Sequence, residues 1–140
     1  MKFTIGFEKE DAKTLHGYWD EIINTQKWSE GKFTQMFEEK WATCNDLPSA
    51  AFASWGGAAL AALEFFNVKG KTVLCPSNTF MATPLSVVKA GASVEFVDCN
   101  RDDLCLSLED LKKKVEEYKP VAVWLVHIGC LLYTSPSPRD

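Results

Sequence analysis

The sequence predicts an α/β protein with a mainly parallel sheet and flanking helices. From residue 50 onward, short apolar runs with strand character alternate with helical segments, and this alternation is typical of right-handed βαβ units. Residues 121–126 are apolar at every position, which predicts a strand buried on both faces of a parallel sheet. A third observation is the pair Gly56-Gly57, which lies between an apolar run and an Ala-rich helical segment.

The N-terminal segment, residues 1–48, is predicted to be helical and to precede the sheet. Apolar residues recur through residues 11–43 at the spacing of amphipathic helices. Residues 28–31 interrupt the pattern, so we expect a break there, with Ser29 as a helix cap or turn residue.

Four strands and three helices are predicted in the remainder. The strands are residues 50–54, 72–75, 94–97 and 121–126, and the helices are residues 58–66, 80–89 and 108–118. Gly70 and Gly91 follow the first two of these helices and predict their ends. Ser107 and Asp110 have the spacing of a capping box at the start of the third helix.

Composition excludes several classes of protein. A formal net charge of −4 argues against a general nucleic-acid surface. The five cysteines contain no Cys-x-x-Cys pair, so neither a metal site nor a disulfide framework is indicated. The sequence shows no signal peptide and no apolar run near the roughly 20 residues that span a bilayer. We therefore expect a cytoplasmic protein without membrane contact.

Gly56 and Gly57 are the first candidate site. Glycine lacks a Cβ atom, so the backbone there can turn sharply and approach a ligand closely. The helix predicted from Ala58 would present unpaired N–H groups and a favourable dipole to an anion such as a phosphate. On this motif alone, a simple turn is the alternative interpretation.

Five motifs in a fixed order extend this interpretation. They are Trp28, Gly31, Phe37 and Glu38; Gly56-Gly57-Ala58-Ala59-Leu60; Pro76, Thr79, Phe80, Ala82 and Thr83; Gly91-Ala92 followed by residues 94–98; and Val126-His127-Ile128-Gly129. In this order they resemble the DegT/DnrJ/EryC1/StrS family of aminotransferases, and the likeness covers residues 28–129.

The resemblance implies a fold-type I enzyme that uses pyridoxal 5'-phosphate. Such enzymes aminate keto sugars attached to nucleotides, usually with glutamate as the amino donor, and are usually homodimers. Residues 49–129 would then be the N-terminal part of the large, cofactor-binding domain. Gly56 and Gly57 would bind the cofactor phosphate, and Phe80 would stack on the pyridine ring.

The resemblance transfers no catalytic residue to this chain. The family's Schiff-base lysine and its pyridine-nitrogen aspartate belong to a later part of the family sequence. Lys112, Lys113 and Lys114 lie on a charged helix face that we expect to be solvated. This chain alone is therefore expected to be inactive, although its parent would be a transaminase.

Two residues of the phosphate motif depart from the family pattern. Trp55 stands where the family has a small residue, usually Ser, and Gly57 stands where it has Thr. Backbone N–H groups do not depend on the side chain, so Gly56 and Gly57 retain their donors.

Asp98 and His127 are weaker candidates. Asp98 follows a predicted strand like a ribose-binding acid, but no Gly-x-Gly-x-x-Gly precedes it, which favours a structural turn acid. His127 follows the last predicted strand, at the edge where open α/β sheets bind ligands, and could act as an acid or base; a lone histidine is more often structural, which favours that role.

Residues 130–140 resemble the translation of a transposon-type sequencing adapter, which predicts that the natural sequence is visible only as far as Gly129. A different class of function stays open if the tail is genuine. The chain would then be a small, non-enzymatic Rossmann-like module that binds a nucleotide or a sugar phosphate.

Overall fold

The computed structural model describes residues 6–29 and 31–128. The chain divides between Ala51 and Phe52 into two compact units. The boundary predicted after residue 48 lies close to this division. The tail predicted to derive from an adapter lies outside the described residues.

The first unit contains two helices, α1 (Lys9–Thr25) and α2 (Lys32–Asn45). The predicted break between them is confirmed, but Gly31, not Ser29, is the N-cap of α2. The rings of Tyr18 and Phe33 lie 4.7 Å apart, and Lys32 pairs with Glu21 at 2.6 Å. Neither helix contains a buried residue.

The second unit is built on a three-stranded parallel sheet. Its strands are β1 (Thr72–Pro76), β2 (Ser93–Val97) and β3 (Ala122–Val123), in the spatial order β2-β1-β3. The helices are α3 (Trp55–Phe65), α4 (Ala82–Lys89) and α5 (Leu108–Tyr118). The predicted α/β class with a parallel sheet and flanking helices is confirmed.

The core lies between the central strand and the helices α3 and α4. It is a cluster of buried apolar side chains: Leu63, Val68, Val73, Cys75 and Val87. Successive side chains of a strand point to opposite faces, so the two members from β1 share the face that these helices cover. Burial also raises the pKa of the Cys75 thiol to about 11, so this cysteine is a neutral core residue.

The strand predicted over residues 50–54 is absent, and the helix predicted from Ala58 begins three residues earlier, at Trp55. The physical reason is local. Three of these five residues are Ala, which favours helices and is depleted in strands. Ser54 then caps the helix, because its hydroxyl accepts the N–H of Gly57 at 3.2 Å.

The strand predicted over residues 121–126 is also shorter than expected, and it is not buried on both faces. Only Ala122–Val123 is strand, although N–H groups of Val121 and Trp124 continue the bonding to β1. Val123 is 40% exposed and Leu125 is 61% exposed. Val123 and Leu125 point to the same face of the strand; α5 packs against β2, and no described helix covers this face of β3.

The last helix, α5, has the predicted bounds and half of the predicted capping box. The Ser107 hydroxyl accepts the N–H of Asp110 at 3.3 Å. The Asp110 carboxylate, however, accepts the N–H of Asp98 at 2.8 Å and lies 3.8 Å from the Lys114 ammonium. Lys114 also donates to the carbonyl of Phe96. The sequence predicts a fully solvated Lys114, and this prediction is wrong.

In the described part of the chain, no helix combines the length and the apolar character that crossing a membrane requires.

Candidate functional site

An open cleft of about 470 Å³ lies at the carboxyl edge of the sheet. Its lining comes from the start of α3, from the loop between β1 and α4, and from the segment after β3: Trp55, Thr79, Phe80, Thr83, Trp124, Leu125, Val126, His127 and Ile128. Ligands of open α/β sheets bind at this edge, because the loops that follow parallel strands converge there.

The first turn of α3 supplies backbone donors at the Trp55 end of the cleft. The N–H groups of Gly57 and Ala58 are bonded to the hydroxyl and the carbonyl of Ser54. Those of Trp55 and Gly56 have no protein acceptor in the described part of the chain. These two groups, together with the helix dipole, are suited to an anion.

This geometry changes the interpretation of the two glycines. Gly56 and Gly57 belong to the first turn of the helix and not to a sharp turn before it, and neither has a positive φ. A Cβ atom at Gly57 would lie 3.6 Å from Ser54 Oγ and 3.8 Å from a ring carbon of Phe52, which are ordinary contacts. The sharp turn that the sequence predicts at these glycines is therefore absent, and neither glycine adopts a backbone conformation that other residues avoid.

Phe80 presents its ring to the cleft and is 79% exposed. It lies in the loop just before α4, where its carbonyl accepts the N–H of Thr83 at 3.0 Å. The hydroxyl of Thr79, in the same loop, is bonded to that of Thr83 in α4 at 2.8 Å, which ties the loop to the helix. A large apolar ring held open to solvent in a cleft is available for stacking on a ligand.

Two tryptophans line the same cleft, and the sequence did not identify them as site residues. The ring centroids of Trp55 and Trp124 are 5.6 Å apart, with an angle of 45° between the planes. Trp55 was visible in the sequence as a departure from the family pattern. Trp124 gave no signal, because it stands inside an apolar run that resembles core.

The weaker candidates separate in space. His127 lines the cleft. Asp98 is not among the lining residues, and its backbone instead holds the start of α5 through the N–H of Ser107 and the carboxylate of Asp110. Within residues 6–29 and 31–128, no cluster of His, Cys, Asp and Glu could hold a metal ion.

The parallel sheet with its covering helices is shared with solved structures of pyridoxal-phosphate enzymes. A DegT DnrJ EryC1 StrS aminotransferase from Brucella abortus has this fold, with a TM-score of 0.69 and 22% identity; the match covers 86% of this chain and 36% of that one. GDP-4-keto-6-deoxy-D-mannose-3-dehydratase from E. coli, solved with bound hydrated PLP, has a TM-score of 0.68 and 21% identity over 82% of this chain and 31% of its own.

Sequence similarity identifies the family. Residues 9–132 match the DegT/DnrJ/EryC1/StrS aminotransferase family, and the chain belongs to it. GDP-perosamine synthase from Escherichia coli O157:H7 is 31% identical over 102 residues, which are 71% of this chain. The chain spans only 28% of the length of that relative.

Proposed function

We propose that this chain is the N-terminal part of a pyridoxal 5'-phosphate-dependent aminotransferase that acts on a nucleotide-linked keto sugar. The observation that carries the proposal is the cleft, which brings the unpaired N–H groups at the start of α3 and the exposed ring of Phe80 to one edge of the sheet. Membership of the aminotransferase family supports the same assignment.

The residues of the cleft fit this cofactor. The N–H groups of Trp55 and Gly56 would hold the phosphate, which the α3 dipole also favours. The Phe80 ring would pack on the pyridine ring and fix its plane. The bound cofactor supplies an electron sink for amino-group transfer. The apolar side chains of Leu125 and Val126 would exclude water from one side of the ring.

Catalysis requires residues outside this cleft. None of its lining residues is a lysine, whereas the resemblance implies a lysine that binds the cofactor covalently. Lys112, Lys113 and Lys114 do not line the cleft, and the ammonium of Lys114 is engaged with Phe96 and Asp110. We therefore propose that residues 1–140 alone do not transaminate.

The relatives support a proposal for the class of substrate. The E. coli relative is a GDP-perosamine synthase, which supports a GDP-linked keto sugar as the substrate to try first. Glutamate as amino donor and a homodimeric parent rest on the family resemblance.

The test begins with the genomic DNA that follows codon 129. We expect an open reading frame that continues and encodes a lysine able to bind the cofactor. The full-length product, incubated with pyridoxal phosphate, glutamate and a GDP-linked keto sugar, should release 2-oxoglutarate. Residues 1–140 under the same conditions should give no more than a heat-killed control. A genuine stop after Asp140 would reject the proposal in favour of a small phosphate-binding module.

A further inference from the structure

We propose that Trp55 is a ligand-binding residue, which together with Trp124 forms an aromatic wall that contacts the ring of a phosphate-bearing ligand. The proposal rests on the proposed function. It adds that the cleft binds a phosphate that carries a ring more tightly than inorganic phosphate.

The position of Trp55 gives it two contacts with one ligand. Its N–H group is one of the two donors at the start of α3 without a protein acceptor in the described residues, so its backbone lies at the anion-binding end. Its indole lines the cleft and is 50% exposed. Because Ser54 caps the helix, the register that places this residue first in α3 is fixed.

Trp124 gives the wall its support. Its backbone N–H bonds to the carbonyl of Leu74 in the central strand at 2.8 Å, and its side chain packs against the core cluster. The indole therefore has little freedom to leave its place beside Trp55. Its Nε1 is enclosed and has no acceptor among the described residues, so the part of the indole that a ligand in the cleft could contact is its apolar ring.

The wall and the Phe80 ring border the same cleft, which is wide enough to admit a ring. A small hydroxyl residue at position 55 would offer a phosphate one more hydrogen bond but little contact area. An indole offers a ring ligand a broad apolar surface. The substitution Trp55→Ser therefore separates two interpretations: it tightens binding if Trp55 merely obstructs the cleft, and weakens binding if Trp55 is a wall.

The experiment measures the Kd of pyridoxal phosphate for the full-length protein by equilibrium dialysis with absorbance detection, which needs no tryptophan signal. We expect Trp55→Ser to raise the Kd by roughly 3- to 10-fold, the size of one lost aromatic contact. The Kd of Trp55→Phe should stay within about 2-fold of the wild-type value, because the phenylalanine ring keeps most of the stacking contact. The Kd of inorganic phosphate should be the same for all three proteins.

A Trp55→Ser variant that binds pyridoxal phosphate as tightly as the wild type, or more tightly, overturns the inference. Equal weakening for inorganic phosphate also overturns it, because the effect would then lie in the helix start. If Trp55→Ser does not fold, Trp55→Leu takes its place, because leucine is apolar but lacks a ring. A Kd of pyridoxal phosphate at or below the wild-type value would again overturn the inference. Failure of the wild type to bind pyridoxal phosphate rejects the proposed function itself, so the two failures are distinguishable.

Discussion

Gly57 donates its N–H to the Ser54 hydroxyl, so the N–H groups in the first turn of α3 without a protein acceptor in the described part of the chain are those of Trp55 and Gly56. The sequence predicted a phosphate site here from the absence of Cβ atoms and from a helix start at Ala58, whereas in the structure both glycines lie in the first turn of a helix that Ser54 caps. Phosphate binding by Gly56 stays a prediction. A phosphate would have to compete with the Ser54 hydroxyl for the N–H group of Gly57. A side chain introduced at position 57 is therefore a more informative test than the backbone N–H.

Substitution Gly57→Thr should leave pyridoxal phosphate binding unchanged or tighten it. The added Cβ meets only ordinary contacts, and Thr is a better helix former than Gly by a few tenths of a kcal/mol. Its hydroxyl restores the donor that the resembled family carries at this position. The matched control is Gly57→Val, which has the same shape without the hydroxyl. Tighter binding by Val than by Thr, measured as Kd by equilibrium dialysis, would argue against a phosphate near this side chain.

Substitution Phe80→Ala should weaken the binding of pyridoxal phosphate. Loss of the ring removes a stacking contact of about 0.5–1.5 kcal/mol, which corresponds to a Kd increase of roughly 2- to 12-fold. Phe65→Ala is the control, because Phe65 is equally exposed, at 84%, but does not line the cleft. A Phe80→Ala protein with the wild-type Kd would show that this ring does not stack on the cofactor.

At the scale of elements, the sequence predicted α5 well and the start of α3 less well, although a serine caps both helices. The predicted bounds of α5 agree with the structure because Ser107 caps its start. The left-handed conformation of Gly70 and Gly91 marks the turns after α3 and α4 as expected. Prediction failed for residues 50–54, where an apolar Ala-rich run resembles a strand but has no partner in the described sheet.

The last strand shows what a sequence pattern does not reveal. Residues 121–126 are apolar throughout, and apolar character was taken to mean burial on both faces. In the structure, Val121, Val123 and Leu125 are exposed, because they share a face of β3 that no described helix covers. Trp124 packs against the core cluster and also lines the cleft, and its apolar surroundings in the sequence indicate only the first of these environments. Burial depends on neighbours from elsewhere in the chain, which periodicity does not contain.

Substitution Ser107→Ala should destabilise the protein by about 1 kcal/mol through loss of the α5 N-cap. The helix has no buried residue, so its cap and its few polar anchors carry much of its local stability. Urea denaturation of the full-length protein measures the change in the free energy of unfolding. Ser107→Asp keeps a capping oxygen and should stay near the wild type. Equal loss in both variants would mean that the cap is not the cause.

At the scale of the whole molecule, the described residues leave much apolar surface uncovered. Phe65, Phe66, Leu85 and Val88 are exposed on or beside α3 and α4. Both outer strands of the sheet are unpaired on their outer sides among the described residues. The chain spans 28% of the length of its E. coli relative.

Residues 1–140 expressed alone should therefore form inclusion bodies or soluble aggregates. Open strand edges template association between chains, and large apolar patches rarely persist on soluble monomers. Size-exclusion chromatography with light scattering measures the association state, and a denaturant melt measures cooperativity. A monodisperse species with one cooperative transition would contradict this expectation and favour a self-contained binding module.

The central claim is that the cleft at the carboxyl edge holds pyridoxal phosphate between the start of α3 and Phe80. A crystal structure of the full-length protein with this cofactor measures it directly. We expect phosphate oxygens at about 3 Å from the N–H nitrogens of the first turn of α3, with Gly56 among them. The pyridine ring should stack on Phe80, with centroids roughly 4.5–7 Å apart. A cofactor bound away from both Phe80 and the start of α3 would contradict the account.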